Sequence, residues 1–337
     1  MVLFVVGLPG VPALAADNPP WPELLPGVAL APGIQPHPVE NCRRASLACI
    51  DDLLVRLEAT WRRQDAACDH RALFTLAYIR ITQGLRRAVL DGTIHDPQWM
   101  TYTIVYFSNH YFQALSDYDA GRPVPAAWRV TLDAAAHGED NGGQDVLLAS
   151  SAHTQHDLPF VYAEMGVTTP QGQSRKPDHD AVNAINAAVF DALETYYAEH
   201  YDPFFSYIQP LPPLNQGTLE MVKGWRELAW RNAERLLSAR TAEERQGVAD
   251  EIDLNSRLWA QMIDSYQPAG YRAMRDSFCS AHHEIKPTWP RRPSGRRGGT
   301  SSARGTNHSG RPRARAHRRH RRHRRPRPRR HHRRSRR

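Results

Sequence analysis

Strand-like alternation of apolar and polar residues is almost missing from this sequence, which speaks against sheet-based folds. No CxxC pair occurs, so redox and zinc-ribbon readings have no support. No GxSxG elbow surrounds Ser150 or Ser151, and the GEDNGGQ loop lacks the Lys and the spacing of a phosphate-binding P-loop. Past the N-terminal run, no segment is long and apolar enough to span a bilayer. Residues 291–337 contain no Lys, Asp or Glu at all, yet hold 21 Arg.

That last shortage reveals how the charge is distributed. The chain has 337 residues and a net charge of +9. With 21 of its 44 basic residues in the tail, residues 1–290 set 23 basic against 35 acidic residues, a balance of −12. An acidic body carries a basic tail. The tail (286–337) has too little apolar content to offset the entropy of folding and is expected to be disordered. As a functional arm it would bind polyanions. It has no interleaved aromatics for base stacking. The same composition arises when a GC-rich coding sequence is read out of frame, and the abrupt change near Pro290 fits that reading equally.

At the other end, an apolar run from Val2 to Leu14 closes on Ala13-Leu14-Ala15. It reads as a secretory signal over residues 1–16 without the usual basic flank. Residues 17–41 are a Pro-rich leader. Export implies a released or loosely surface-associated, secreted protein. Four cysteines then suggest two disulfides among three pairings. Cys49 and Cys68 lie at opposite ends of one expected helix, too far apart to bridge. Cys42–Cys49 would staple the helix start and leave Cys68–Cys279 to tie the end of the fold to its beginning. Free buried thiols are the alternative.

Between leader and tail, residues 42–285 read as one all-α bundle of about eight helices. Leu47, Ile50, Leu54, Leu57 and Trp61 form one face of the first. The second stops at Gly92, and the third starts at Asp96-Pro97. A shorter one ends at Gly138. Another runs through residues 145–166. The next is expected to be capped by Asp178. Two long helices follow, the second opening on a Thr241/Glu244 capping box.

Inside the helix over 145–166 sits SSAHTQHDLPF, with His153, His156 and Asp157 on one face. Two imidazoles and a carboxylate suit a divalent metal such as zinc, with further ligands from other helices, His70 first among them. Asp157 or Asp180 would be the base in metal-assisted hydrolysis, with phosphoesters as one substrate class. The competing reading is a non-catalytic helical domain that binds a small ligand or an envelope component, its histidines forming a hydrogen-bonded network that locks helix packing, with His153 bonded to Asn183 or a tyrosine. Pro159 either kinks the helix or breaks it, Asp157 then capping the continuation. Arg226, Arg231 and Asn232, interleaved with the core tryptophans Trp225 and Trp230, could line a pocket for a small anionic molecule together with Asn183.

Three segments carry a resemblance: CDHRALFTLAYIRIT (68–82), AHTQHDLPFVYAEMG (152–166) and AWRNAERL (229–236). They are similar to segments of an uncharacterised bacterial all-helical family, a domain of unknown function, and of an exported subgroup within it. The resemblance spans roughly residues 42–280 and brings no activity. It implies that 152–157 is a hallmark segment. The Arg-rich tail departs from the family pattern.

Overall fold

The computed structural model describes residues 33–202, 214–265 and 270–282. The expected signal, most of the leader and the Arg-rich tail lie outside the described residues. Every described residue belongs to one compact unit. Among the described residues, regular structure is helical. Extended pairing is confined to two isolated bridges, Val39 with Cys42 and Thr168 with Ser174. The fold is therefore all-α. No described helix is long and apolar enough to cross a membrane.

Helix α1 (Leu47–Ala66) and helix α2 (Arg71–Asp91) pack as an antiparallel pair. The expected apolar face of α1 is inside, with Ile50 and Leu57 fully buried. Gly92 ends α2 at φ 82°, a conformation only glycine adopts freely. Helix α3 (Pro97–Asp119) begins as its sequence requires, an Asp96 side-chain oxygen accepting from the Trp99 amide. Helix α4 (Ala126–His137) stops at Gly138.

Helix α5 (Gly142–Ser151) starts inside the segment expected to be a loop. Asn141 accepts from the Gln144 amide while the Gln144 side chain accepts from the Asn141 amide, a reciprocal cap that satisfies two otherwise orphaned donors. A six-residue π turn (Ala152–Asp157) and helix α6 (Leu158–Met165) continue the same rod. This rod is the centre of the fold, with α3, α4, α8 and α9 packed around its π turn.

Helix α7 (Lys176–His200) corrects one expectation. Asp178 lies within it and makes no cap. Its buried carboxylate instead accepts from the His95 and Asp96 amides at 2.7 and 2.8 Å, so it organises the start of α3. Helices α8 (Leu214–Ser238) and α9 (Ala242–Asp264) follow. Thr241 caps α9 by accepting from the Glu244 amide, but the Glu244 carboxylate reaches the Arg240 amide rather than that of Thr241. Helix α10 (Tyr271–His282), not anticipated from the sequence, places Tyr271, Arg275 and Cys279 inward at four-residue spacing.

The two disulfides are Cys42–Cys49 and Cys68–Cys279, with Cα atoms 5.4 and 5.9 Å apart. Both lie within the span a disulfide bridges. The second ties α10 to the turn between α1 and α2.

Candidate functional site

The π turn is the local feature that makes the site. The Leu158 amide reaches back to the His153 carbonyl, five residues away. Pro159 has no N–H to offer the carbonyl of Gln155, so a wider turn here loses little. The chain does not break at Pro159. Asp157 keeps helical angles and makes no cap bond, which leaves its carboxylate for tertiary partners.

Three donors converge on that carboxylate. One oxygen accepts from His153 Nδ1 at 2.8 Å and Trp128 Nε1 at 2.9 Å; the other accepts from His156 Nδ1 at 2.8 Å. Burial alone would raise the Asp157 pKa, but the two imidazoles outweigh it and hold the group ionised, well below the usual carboxylate range. Burial pushes His153 down despite its carboxylate partner, so the ring stays neutral. With its Nδ1 proton committed to Asp157, His153 Nε2 is the acceptor, and it faces the Tyr78 hydroxyl at 3.2 Å. The ring stacks flat on Phe107, centroids 3.4 Å apart.

His153, His156 and Asp157 are thus bonded to one another rather than converging on a common point. The remaining ring nitrogens diverge, His153 Nε2 to Tyr78 and His156 Nε2 towards Asp253, 3.9 Å away. His70, expected as a further ligand, has a different partner: its Nδ1 meets Asp145 Oδ2 at 2.5 Å. Burial drives His70 down to about 3 and Asp145 up, with Arg275 and several carboxylates close by.

His153 also lines a cavity of about 80 Å³ between α2, α3, the central rod, α7 and α8. Its walls are largely apolar, including Phe74, Met100, Ile104, Phe107 and Phe190. Two buried polar atoms on residues lining it have no hydrogen-bond partner, Thr103 Oγ1 and Asn186 Oδ1. Arg226 lines it as well, donating from Nε to Asn183 Oδ1 at 2.8 Å and from Nη2 to the His179 carbonyl at 2.7 Å. Asn183 and Arg226 are therefore together. Asn232 is not among the lining residues and accepts from Arg235.

Asp180 belongs to another group. His179, Asp180 and Glu227 offer ligand atoms within 4.8 Å of one another. Lys176 Nζ sits 2.6 Å from both carboxylates. His179 Nδ1 faces two donors, the Tyr162 hydroxyl and Arg226 Nη2. Burial, then the charges of Arg226, Lys176 and Arg231, keep His179 neutral, and its proton is assigned to Nε2.

Sequence reasoning missed Trp128, Phe107, Thr103, Asn186 and Lys176. The one available signal was the aromatic density of TYTIVYFSNHYF in α3, which supplies Phe107 and Tyr111 to the surroundings of His153.

A family model described as a family of unknown function (DUF5995) matches residues 50–265. No curated protein and no solved structure matches the chain.

Proposed function

Since the chain belongs to the DUF5995 family of unknown function, we propose a role drawn from its own geometry: the helical body is a receptor for a small molecule seated beside His153. The observation that carries this reading is the pair of unpartnered polar atoms, Thr103 Oγ1 and Asn186 Oδ1, on residues lining an otherwise apolar cavity. A buried polar atom without a partner costs about 1–3 kcal/mol, which a guest with a hydrogen-bonding end would recover. The Asp157 network braces one wall by fixing the His153 ring. Two disulfides fit work in an oxidising compartment, and secretion is part of the proposal.

The test is a thermal-shift series of small apolar guests with one polar end. A guest at ten times its Kd adds about 1.4 kcal/mol, a rise of roughly 3–5 °C for a body of this size. Val182→Phe, which fills the cavity from α7, should abolish the rise. The reading fails if no guest shifts the parent, or if the filled variant responds equally.

The His179, Asp180 and Glu227 group favours a second reading, a metal-dependent hydrolase, in which Asp180 or Asp157 would be the base. It is weaker because Lys176 already pairs with both carboxylates, Arg231 pairs with Glu227 as well, and the donors around His179 Nδ1 leave the proton on Nε2. Elemental analysis after non-chelating purification decides it. One equivalent of zinc, iron or manganese, lost in Glu227→Gln, would replace the receptor reading; no stoichiometric metal would dismiss the hydrolase.

A further inference from the structure

We infer that the guest of the His153 cavity is a small organic carboxylate and that Arg226 is its counter-charge. This rests on the receptor reading above and adds the chemical class of the ligand.

Arg226 is only 6% exposed. Its partners are the Asn183 amide oxygen, the His179 carbonyl, the His179 ring and the Tyr162 hydroxyl. Every one is neutral. Among the described residues no carboxylate pairs with it, whereas buried Arg175 has Asp96 and half-buried Arg231 has Glu227 and Glu234. The acids on the neighbouring turns of α7 and α8 are already committed. Asp180 is bonded to Lys176, Glu227 lies between Lys176 and Arg231, and Glu234 accepts from Trp230 while pairing with Arg231. A guanidinium removed from water without an anion is costly, and buried charges are as a rule paired. Here the missing anion has a place to sit, because Arg226 lines the cavity.

The other groups on the wall narrow the class. The Thr103 hydroxyl, unpartnered and buried, can donate to a carboxylate oxygen, and the Asn186 amide does the same once turned so that its NH₂ rather than its unpartnered oxygen faces the guest. One arginine against apolar walls balances a monoanion; a phosphate dianion would bring an unmatched second charge. At about 80 Å³, the cavity has roughly half the volume of one that holds benzene, which selects a short acid over a long acyl chain.

The experiment compares acetate with acetamide, nearly equal in shape, by calorimetry on the full chain. Acetate should bind at least about tenfold tighter, since a charge-assisted bond to Arg226 is roughly twice as strong as a neutral one. Arg226→Met should bring the two within about twofold. Should that variant fail to fold, Asn183→Asp provides the second arm. It supplies Arg226 with an internal carboxylate, so it should stabilise the free protein and erase the preference for the acid. Acetamide binding the parent as well as or better than acetate would overturn the inference and leave the receptor reading standing. Failure of both, together with failure of every guest in the thermal-shift series, would remove both readings.

Discussion

Asp157→Ala is expected to destabilise the body by about 3–5 kcal/mol, because it strands buried groups rather than merely removing one. Trp128 Nε1 and the Nδ1 protons of His153 and His156 all lose their acceptor. For a body of this size that is a fall in melting temperature of roughly 10 °C. Asp157→Asn should recover little. An amide has one acceptor oxygen, and its NH₂ would face a donor. Urea titration of both variants gives the answer, and a loss below about 1 kcal/mol in the alanine variant would mean the carboxylate is not the hub.

The same network has a pH signature with a defined sign. The folded Asp157 pKa is depressed, so its stabilisation is present above the unfolded value of about 4 and is lost as pH falls through the folded value. The folded His153 pKa is also lowered. Below about 6.5 the unfolded chain takes up a proton that the buried ring refuses, so stability falls as pH drops. Mild acid therefore weakens the site through His153 first, and only stronger acid reaches Asp157.

The second large effect concerns the two disulfides, which should be unequal. Cys68–Cys279 closes a separation of 211 residues and Cys42–Cys49 one of 7. By chain entropy alone, serine replacement of the long bridge costs about 5 kcal/mol and of the short one about 2. The long bridge also holds α10, which carries Tyr271 onto buried Asp202 and Arg275 near His70 and Asp145. Melting temperature should fall about twice as far in Cys68→Ser/Cys279→Ser as in Cys42→Ser/Cys49→Ser, and proteolysis near α10 should respond to the first alone. Equal losses in the two variants would contradict this ranking.

Much of the scaffold was legible because helix signals are local. The spacing of Ile50, Leu54 and Leu57, the Asp96-Pro97 start, Gly92 and Gly138 each act within a few residues of themselves. The cysteine pairing followed from one helix length. Misreadings arose where a side chain chose a distant partner over a near one. Asp178 serves the amides of His95 and Asp96 instead of its own helix. Glycines in GEDNGGQ suggested a loop, yet Asn141 and Gln144 pair to start a helix.

The sequence by itself determined an all-α body, the span of most of its helices, and a polar cluster at 153–157 within an apolar stretch. Only the tertiary structure decided what that cluster is bonded to. Tyr78 lies 75 residues from His153 along the chain, and Trp128 lies 29 from Asp157. A cavity with unpartnered Thr103 and Asn186 on its wall exists only once α3 and α7 have closed on the central rod. Helical periodicity tells which face of a helix turns inward. Which lone pair meets which donor, and whether a buried guanidinium has its anion, is set by the neighbours that packing delivers.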